Sequence, residues 1–423
     1  MSDVSVVALL SATLFTAWLL FGSLLGRAVR RIALLREAAG LDGGLARAGA
    51  SAQGPLPSLS VVVTARDEAE AIETTVSRLL AQRYAGLEVI VVDDRSTDGT
   101  AEILDRLQAE TRDARLVVIH NRDLPRGWLG KCHACHRGAE RARGEWILFL
   151  DGDVELVSED LLARAVTLAE TRRLDHVAVV PDQRPVSPLQ QALISVFAQM
   201  YLLAARVYEM DRDRRRGGAG IGAFNMVRRS AYDRIGGHAL LKMDPADDYK
   251  LGRLLKESGA RQRLFDGVGL VRCPWHRGAL NVARGLEKNL FTGFDYSVLE
   301  LVGFTALALV LVFGPLAAGV LGTVLGVRTG QPALIAAAWL PFALQALFVG
   351  SGSRLQAQRY GGSALRLSLL YPAAVLLLLG AAWNSALRTI ARGGVRWRDT
   401  FYPLAELRAG RVRAGAGRRF EVL

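Results

Sequence analysis

Four long runs without a charged residue constrain this 423-residue chain more than any other feature of its sequence. Because an α-helix rises about 1.5 Å per residue, about 20 apolar residues cross the roughly 30 Å hydrocarbon core of a bilayer. The sequence therefore predicts four membrane segments, one before and three after a large central region. They are Val4 to Gly26, Leu301 to Val327, Pro332 to Ser353 and Leu367 to Leu387.

The first run is predicted to be an anchor rather than a cleaved signal peptide. It is too long, no basic residue precedes it, and no small-x-small cleavage site clearly follows it. Lys and Arg beside membrane segments favour the cytoplasmic side, and only Asp3 precedes this run. We therefore expect a multi-pass protein of the cell (inner) membrane with residues 27 to about 297 in the cytoplasm. The arginines that follow the run are Arg27, Arg30, Arg31 and Arg36.

The distribution of positive charge argues against a nucleic-acid-binding protein, although the net charge is +12. The arginines cluster beside the apolar runs and in the C-terminal tail, where they would meet anionic lipid headgroups. With the N-terminus outside, four full crossings would place this basic tail outside too, against the charge rule. We therefore expect one C-terminal segment to be re-entrant, with a break at Pro372; otherwise the tail is an exception to the rule.

The central region has the order of elements that is typical of an α/β fold. Apolar, β-branched runs predict strands, and apolar residues at helical spacing predict helices between them. This alternation implies a mostly parallel sheet covered by helices on both faces. The predicted strands are 59–63, 87–92, 116–119 and 146–150, and the predicted helices are 69–82, 101–107 and 131–141.

These features divide the chain into five segments. Residues 1–27 are the predicted anchor, 28–58 a flexible Gly- and Ala-rich linker, and 59–297 a globular catalytic domain. Residues 298–390 hold the C-terminal membrane segments, and 391–423 form a basic tail.

A Cys-x-x-Cys-His motif at Cys132, Cys135 and His136 has the spacing of a c-type haem attachment site. Haem is attached outside the cytoplasm, so the predicted topology argues against it. A zinc site that adds His133 would crowd four ligands into five residues of a predicted helix. We expect neither haem nor structural zinc here.

Acidic side chains follow three of the predicted strands. TARDE (Thr64 to Glu68) follows the first, DDRSTDGT (Asp93 to Thr100) the second, and DGDVE (Asp151 to Glu155) the fourth. Turn chemistry alone does not explain acids after three separate strands, and ligands of open α/β sheets gather at the carboxyl ends of strands. Asp151 and Asp153 can present two carboxylates to one divalent cation, whose other positions phosphate oxygens can fill.

Five segments in order resemble the family 2 inverting glycosyltransferases of the GT-A fold. They are VVVTARDEAEAI, EVIVVDDRSTDGT, GK..A...G...ARGEWILFLDGDV, GAFNMVRRSAYDRIGGH and DDYKLGRLLKESG, within residues 59 to 290. LPRGWLGKCHACHRGAERARGEWILFLDGDVEL, the later GLEKNLFTG and the flanking membrane segments are similar to hopanoid-biosynthesis-associated and carotenoid-type lipid glycosyltransferases. The resemblance implies a GT-A domain, a nucleotide-sugar donor, a lipid acceptor, and Mg²⁺ or Mn²⁺ as cofactor.

The resemblance also implies roles for single residues. Asp248 aligns with the catalytic base, and Asp247 precedes it where the family usually has Glu. As a structural alternative, acids at a helix N-terminus are favoured by the helix dipole alone. Lys131 would stand near the phosphates, or it is a solvated helix residue. The remaining implied roles are the base pocket for Thr64, Ala65, Arg66 and Glu68, contact with uracil or ribose for Asp93 and Asp94, and the metal site for Asp151 and Asp153, with Asp151 also facing the donor.

Three further features stay open from the sequence. Gly218-x-Gly220-x-x-Ala223 fits a dinucleotide fingerprint weakly. In a glycosyltransferase, these glycines and Gly222 would leave room for the donor sugar or the acceptor. A flexible loop that binds no ligand is the alternative. Arg284 and Lys288 could bind diphosphate or lipid headgroups, or form a solvated basic face. The uncharged run 187–205 predicts a membrane-surface helix or a buried core helix, since a crossing would separate Asp151 from Asp248.

The sequence thus favours a metal-dependent, inverting enzyme that moves one sugar from a UDP-linked donor to a lipid. A processive polysaccharide synthase is one alternative, but such enzymes carry Gln-x-x-Arg-Trp, and Gly393 stands where that Gln would precede Arg396-Trp397. An inactive lipid-binding scaffold is another. Clustered carboxylates argue against the scaffold, because they repel one another without benefit to it.

Overall fold

The computed structural model describes residues 2–40, 55–210 and 216–412, without the side chain of Lys288. Most of the predicted linker and the end of the basic tail lie outside these residues. The described residues group into two compact units. An apolar unit draws on Met1–Val29, Pro185–Leu203 and His276–Val395, and an α/β unit on Arg30–Arg184, Ala204–Trp275 and Arg396–Leu423. The boundaries of the five segments expected from the sequence stay a prediction, because these two units group residues by spatial contact and not by position along the chain.

The apolar unit contains the predicted number of long apolar helices. In the described part of the chain, four helices are long and apolar enough to cross a membrane, and the chain is accordingly membrane-associated. They are Asp3–Val29, Val298–Thr329, Pro332–Tyr360 and Ala364–Arg392. The unit also contains the helix Ala279–Leu290 and a short 3₁₀ turn, Thr292–Phe294.

The predicted break at Pro372 is wrong. Pro372 lies inside the continuous helix Ala364–Arg392, just as Pro315 and Pro341 lie inside the two helices before it. Proline removes one helical hydrogen bond, but apolar helices tolerate it where neighbouring helices and small local adjustments satisfy the freed backbone groups. A proline in a membrane segment is therefore a poor signal of a helix end.

The uncharged run at 187–205 forms the helix Pro188–Ala204, which packs through buried amides. Gln190 Nε2 donates to the carbonyl of His276 at 2.8 Å, and Gln191 Nε2 donates to that of Gln356 at 2.8 Å. Buried amides are retained where they find such partners. The core-helix alternative therefore describes this segment better than a surface helix.

The α/β unit is built from short strands separated by helices, as expected. The strands of its main sheet are β1 (Ala33–Leu34), β2 (Leu59–Ala65), β3 (Leu87–Asp94), β4 (Leu116–Asn121), β5 (Trp146–Asp151), β7 (His176–Val180), β8 (Asn225–Arg228) and β9 (Gln262–Asp266). Two small pairs complete the set, β6 (Glu155–Leu156) with β10 (Val271–Arg272), and β11 (Gly394–Trp397) with β12 (Thr400–Pro403).

The main sheet has eight strands in the order β1-β9-β7-β8-β5-β2-β3-β4. Only β8 among these strands runs antiparallel to its neighbours, β5 and β7. The helices of this unit are Leu35–Ala38, Ile72–Leu80, Thr100–Thr111, Gly130–Arg141, Leu161–Thr171, Arg229–Arg234, Asp247–Glu257 and Leu404–Ala409, with 3₁₀ turns at Val207–Glu209 and Gly237–Ala239. The predicted fold class, a mostly parallel α/β sheet with apolar helices near both ends of the chain, is confirmed.

Both faces of the central strands are buried, which explains their continuous apolar runs. Val61 and Val63 belong to one buried cluster, whereas Val62 belongs to a second. Alternate residues of a strand point to opposite faces, so these clusters lie on the two sides of the sheet. Polar side chains are consequently displaced to the ends of the strands, where the candidate site lies.

Small residues allow two of the apolar helices to pack closely. A Cβ on Gly322 would collide with the Cβ of Ala338, and a Cβ on Gly319 would lie 2.7 Å from the ring of Trp339. In a bilayer such close approach supplies much of the attraction between helices. Gly303, on the same helix as Gly322, faces open space.

The two glycines provide a matched pair of variants. We expect Gly322→Ala to lower the stability of the protein by about 1 to 3 kcal/mol, because the added methyl group overpacks the contact with Ala338. Gly303→Ala should leave stability unchanged or raise it, since Ala favours a helix more than Gly does. The measurement is the midpoint of thermal unfolding in detergent. Equal midpoints for both variants would contradict the packing argument.

Candidate active site

The carboxyl ends of three neighbouring strands form the rim of the candidate site. In register, Ala65 of β2 stands beside Asp93 of β3, and Thr64 stands beside Asp151 of β5. The side chains that follow these strands therefore meet at one edge of the sheet, as predicted.

Lys131 joins this edge through an ion pair. Its Nζ lies 2.6 Å from Oδ1 of Asp151. Burial alone would disfavour the charged amine, but the carboxylates of Asp151, Asp247 and Asp248 hold the pKa of Lys131 well above its usual range. The solvated-helix alternative for Lys131 therefore does not describe it.

Gly222 closes the other side of this ion pair. A Cβ at this position would lie 2.7 Å from Oδ2 of Asp151 and 3.0 Å from Nζ of Lys131. Its carbonyl accepts a hydrogen bond from the Asp151 N–H at 3.1 Å. A side chain at position 222 would displace one of the two charged groups. The glycine is therefore required by packing, and not only by the flexibility of the loop that the sequence analysis considered.

Asp247 and Asp248 lie in the first turn of the helix Asp247–Glu257. Asp248 Oδ2 accepts a hydrogen bond from the Gly222 N–H at 2.8 Å. Its Oδ1 accepts one from the N–H of Tyr249 at 2.7 Å. The Asp247 side chain is buried, whereas Asp248 is only partly buried. Asp248 is therefore the carboxylate that a substrate can reach.

The two aspartates differ in proton affinity. Burial alone would raise the pKa of Asp247, but Lys131 and His238 bring it below its usual value. For Asp248, burial and the adjacent Asp247 charge raise the pKa to about 6. Environments that shift the pKa values of two neighbouring carboxyl groups in opposite directions give the two groups separate roles. Here an ionised Asp247 stands behind an Asp248 poised near neutral pH.

His238 supports Asp247 from the interior. Its Nε2 lies 3.7 Å from Oδ2 of Asp247, and its Nδ1 lies 2.9 Å from the hydroxyl of Tyr232. That hydroxyl also accepts the His238 backbone N–H at 3.0 Å, so its own hydrogen is free to bond Nδ1. This hydrogen-bond network assigns the ring hydrogen to Nε2, facing Asp247.

At the end of β3, Asp94 is held by two arginines. Arg95 donates two hydrogen bonds to its carboxylate, at 3.0 and 2.8 Å, and Arg66 lies 3.6 Å away. The buried Nε of Arg66 makes no hydrogen bond within the described residues and lies 3.9 Å from Oδ2 of Asp67. Gly130 is required beside this pair, because a Cβ there would collide with Asp94.

The Asp93 carboxylate makes two contacts within the α/β unit. It is bonded to His120 Nδ1 at 3.0 Å and accepts the N–H of Ser96 at 3.2 Å. Asp93 is 4% exposed. The structure therefore gives Asp93 a loop-holding contact, and its contact with the donor stays a prediction.

Glu68, Asp151 and Asp153 lie at this edge, and carboxylates are the ligands that a hard divalent cation prefers, but in the described residues their oxygen atoms are not gathered within 4.8 Å of one another. Burial and Asp151 raise the pKa of Asp153. Burial and Asp153 raise the pKa of Glu68 to about 7, against the opposing effect of Arg398. Mutual repulsion of this kind is relieved by a bound cation, and oxygen donors are those that Mg²⁺ or Mn²⁺ prefers.

The cysteine and histidine side chains of the 132–136 motif make separate contacts. Cys132 Sγ lies 3.5 Å from the Asp244 carbonyl, and His136 stacks on Trp128 with centroids 4.8 Å apart. Cys135, His238 and Asp247 do bring ligand atoms within 4.8 Å of one another. Burial and Asp247 raise the pKa of Cys135 well above its usual range.

The remaining predicted residues are placed as follows. Gly218 and Gly220 leave room for the helix Asp247–Glu257, since a Cβ on Gly218 would lie 2.7 Å from the Gly252 carbonyl and one on Gly220 would collide with the Asp248 carbonyl. Arg284 and Lys288 lie on the helix Ala279–Leu290 of the apolar unit, and the Lys288 side chain is outside the described residues. Their binding roles stay predictions.

Sequence reasoning missed several residues of the rim. His238 and Tyr232 lie within the quoted GAFNMVRRSAYDRIGGH segment, but no spacing rule connects them to Asp247. Arg95 lies within the acidic run DDRSTDGT, and no spacing rule distinguishes it there. From the sequence, Arg398 and Tyr402 belong to the predicted basic tail. Only the folded chain brings them to the rim.

Comparison with known proteins points to one family. Residues 60–236 match the family described as Glycosyl transferase family 2. The 4,4'-diaponeurosporenoate glycosyltransferase of Staphylococcus aureus (strain bovine RF122 / ET3-1) is 22% identical over 352 residues, which cover 82% of this chain and 89% of the relative.

Two solved structures also resemble the chain in outline. A mannosyltransferase, PcManGT, from Pyrobaculum calidifontis in complex with GDP-Man and Mn²⁺ has a TM-score of 0.49 at 19% identity, covering 91% of this chain and 99% of that one. S. aureus TarS 1-349 in complex with UDP has a TM-score of 0.36 at 16% identity, covering 82% and 96%.

The family match covers β2 to β8 and the rim residues from Thr64 to Gly222, whereas His238, Asp247 and Asp248 lie beyond it, and the strand order is that of an open, mostly parallel α/β sheet. Residues 60–236 thus form a Glycosyl transferase family 2 domain, and the chain is a glycosyltransferase.

Proposed function

We propose that this glycosyltransferase moves a single sugar from a UDP-linked donor to a lipid acceptor, with inversion at the anomeric carbon and dependence on Mg²⁺ or Mn²⁺. The relative named above acts, by its name, on a carotenoid-type acid, which supports an apolar acceptor such as a carotenoid or a hopanoid. One observation carries the proposal. The donor-side residues Lys131 and Asp151 line the same pocket as Asp247 and Asp248.

Asp248 is the proposed base. It takes the proton of the acceptor hydroxyl while that oxygen attacks the anomeric carbon, and the bond from that carbon to the diphosphate oxygen breaks. The N–H groups of Gly222 and Tyr249 aim its two oxygens. Asp247 and His238 touch no reacting atom in this scheme, so they are positioning residues for Asp248.

The leaving diphosphate needs positive charge as the bond breaks. Lys131 supplies one fixed cation at the pocket. Asp151 and Asp153 would hold the divalent ion, with Glu68 nearby, and the ion adds charge stabilisation for the leaving nucleoside diphosphate. Thr64, Ala65, Arg66 and Asp94 would contact the nucleoside.

We further propose that the apolar helices anchor the chain in the cell (inner) membrane and that the catalytic domain is cytoplasmic. Because residues 396–412 pack into the α/β unit, the three C-terminal apolar helices must cross the membrane an even number of times, so at least one of them does not cross it fully. Four arginines follow the first helix, against one acid before it. This placement follows the charge rule for membrane segments.

A direct test is product analysis with the full-length protein. Purified enzyme is incubated with a panel of UDP-sugars and membrane lipid extract, and lipid products are identified by mass spectrometry. We expect a lipid that is heavier by one sugar, and NMR of the new linkage should give the anomeric configuration opposite to the donor's. A ladder of added sugars, or no product with any donor, would contradict the proposal.

The acid pair predicts metal-dependent donor binding. Asp151→Ala or Asp153→Ala should abolish transfer and weaken UDP binding only when Mg²⁺ or Mn²⁺ is present, because the carboxylates act through the ion. Isothermal titration of UDP with and without the metal provides the measurement. Undiminished transfer by the parent enzyme in EDTA would show that no divalent ion is needed.

The base assignment predicts a loss confined to the chemical step. Asp248→Asn keeps the size of the side chain but cannot accept the proton, and a positioned base contributes about 10² to 10⁴ in rate. Donor affinity should stay within a few-fold of the parent. Because the base works ionised and its pKa is about 6, parent turnover should fall as the pH drops below about 6. A normal turnover in Asp248→Asn would show that Asp248 is not the base. That result would fit an acceptor that reacts through a carboxylate, because a carboxylate has no proton for a base to remove.

Asp247→Asn should act through the pH profile. Its negative charge raises the pKa of Asp248, so the neutral amide should move the acidic limb of kcat to lower pH, on the order of one unit. Turnover on the plateau should fall less than in Asp248→Asn. A fully inactive Asp247→Asn beside a nearly normal Asp248→Asn would transfer the base role to Asp247, and an active Asp247→Asn with an unmoved limb would contradict the effect of its charge on Asp248.

A further inference from the structure

The segment that follows the last apolar helix, Arg396–Val412, does not serve as a tail in the fold. Tyr402, Leu407 and Val412 are 6%, 1% and 2% exposed. The N–H of Val412 lies 3.4 Å from Asp244 Oδ2, and its carbonyl accepts a hydrogen bond from Lys250 Nζ at 2.9 Å. The segment is thus packed into the α/β unit beside the loop and helix that carry Asp248.

Its first half reaches the donor side of the same rim. The hydroxyl of Tyr402 accepts the N–H of Gly130 at 3.2 Å, at the start of the helix that carries Lys131. Tyr402 also contacts Arg95, the partner of Asp94. This buried contact anchors the β11–β12 hairpin next to residues that the proposed function assigns to the nucleoside.

The exposed turn of the hairpin, Arg398 and Asp399, lies over the TARDE motif. Asp399 Oδ2 is 3.1 Å from a terminal nitrogen of Arg66. The Arg398 guanidinium is 3.3 Å from Glu68 Oε1 and 3.7 Å from Asp67 Oδ2. Glu68 in turn lies against the metal-binding turn, since a Cβ on Gly152 would be 3.2 Å from its Cγ. Arg398 is therefore separated from the Asp151–Asp153 turn by a single side chain.

We propose that Arg398 binds the diphosphate of the nucleotide donor, which makes the segment after the last apolar helix a part of the donor site. This inference rests on the proposed function, because it concerns the donor that the enzyme uses. It adds a binding residue from outside the five motifs of the family resemblance.

The other cations of the rim are held more firmly than Arg398. Lys131 pairs with Asp151 at 2.6 Å, and Arg95 makes two hydrogen bonds to Asp94. Among the described residues, Arg398 has only these two longer ion pairs, and its side chain is 42% exposed. Exposed ion pairs of this kind contribute little to stability. A diphosphate offers a guanidinium shorter, bidentate hydrogen bonds and can displace them.

The backbone of Arg398 allows its side chain to be tested separately from the turn. Its φ is +53°, a conformation that Gly adopts more easily than Arg. Arg398→Ala removes the guanidinium at the same backbone strain, and Arg398→Gly removes it while relieving that strain. Arg396, an exposed arginine on the same hairpin, is the matched control for loss of one positive charge.

The experiment measures UDP binding to the full-length protein in detergent with Mn²⁺ by isothermal titration, and uridine binding by ligand-observed NMR. We expect Arg398→Ala and Arg398→Gly to bind UDP about 10-fold or more weakly. Uridine, which lacks phosphate, should bind both variants within about twofold of the parent, and Arg396→Ala should bind both ligands normally.

Two results would overturn the inference. UDP affinity that is unchanged in both Arg398 variants would show that the guanidinium does not meet the diphosphate. Equal weakening for UDP and uridine would show that the residue only supports the shape of the pocket. A parent protein that binds no UDP would instead refute the proposed donor, so the two failures are distinguishable.

Discussion

Carboxylate repulsion at the carboxyl ends of β2, β3 and β5 is the constraint on which the rest of the site depends. These strands end at one edge of the sheet, and burial together with mutual repulsion raises the pKa of Asp153 and of Glu68. Positively charged side chains on the rim offset this repulsion. Lys131 holds Asp151, Arg95 and Arg66 hold Asp94, and Arg398 holds Glu68. A nucleotide donor with a divalent ion would rearrange these same charges.

Close packing by glycine makes that arrangement possible. Gly222 stands against the Lys131–Asp151 pair, and Gly130 stands against Asp94. Any larger residue at either position would have to push a charged group away from its partner. Gly220 has a comparable role toward the backbone of the helix that presents Asp248. The glycines therefore support the electrostatics of the rim as much as its shape.

The two adjacent aspartates show how one helix turn can supply two different groups. Asp247 points inward to His238 and stays ionised, and its charge raises the proton affinity of the more accessible Asp248. Burial and the buried anion behind Asp248 together set the pKa of this carboxyl near neutral pH. The buried Tyr232 hydroxyl completes this support by orienting the imidazole ring.

The sequence by itself determined the four apolar helices, the alternation of strands and helices, and the acids that end β2, β3 and β5, because these depend on local hydrophobic pattern and chain order. It also indicated Lys131, Gly222 and Asp248 through their motifs. It did not determine that Pro372 leaves its helix intact, that Asp93 contacts His120, or that β8 enters the sheet antiparallel. Nor did it show that Arg398 and Tyr402 reach residues more than 250 positions earlier. Only the tertiary structure decided these points, since contacts between distant segments depend on how the whole chain packs, and no local spacing records them.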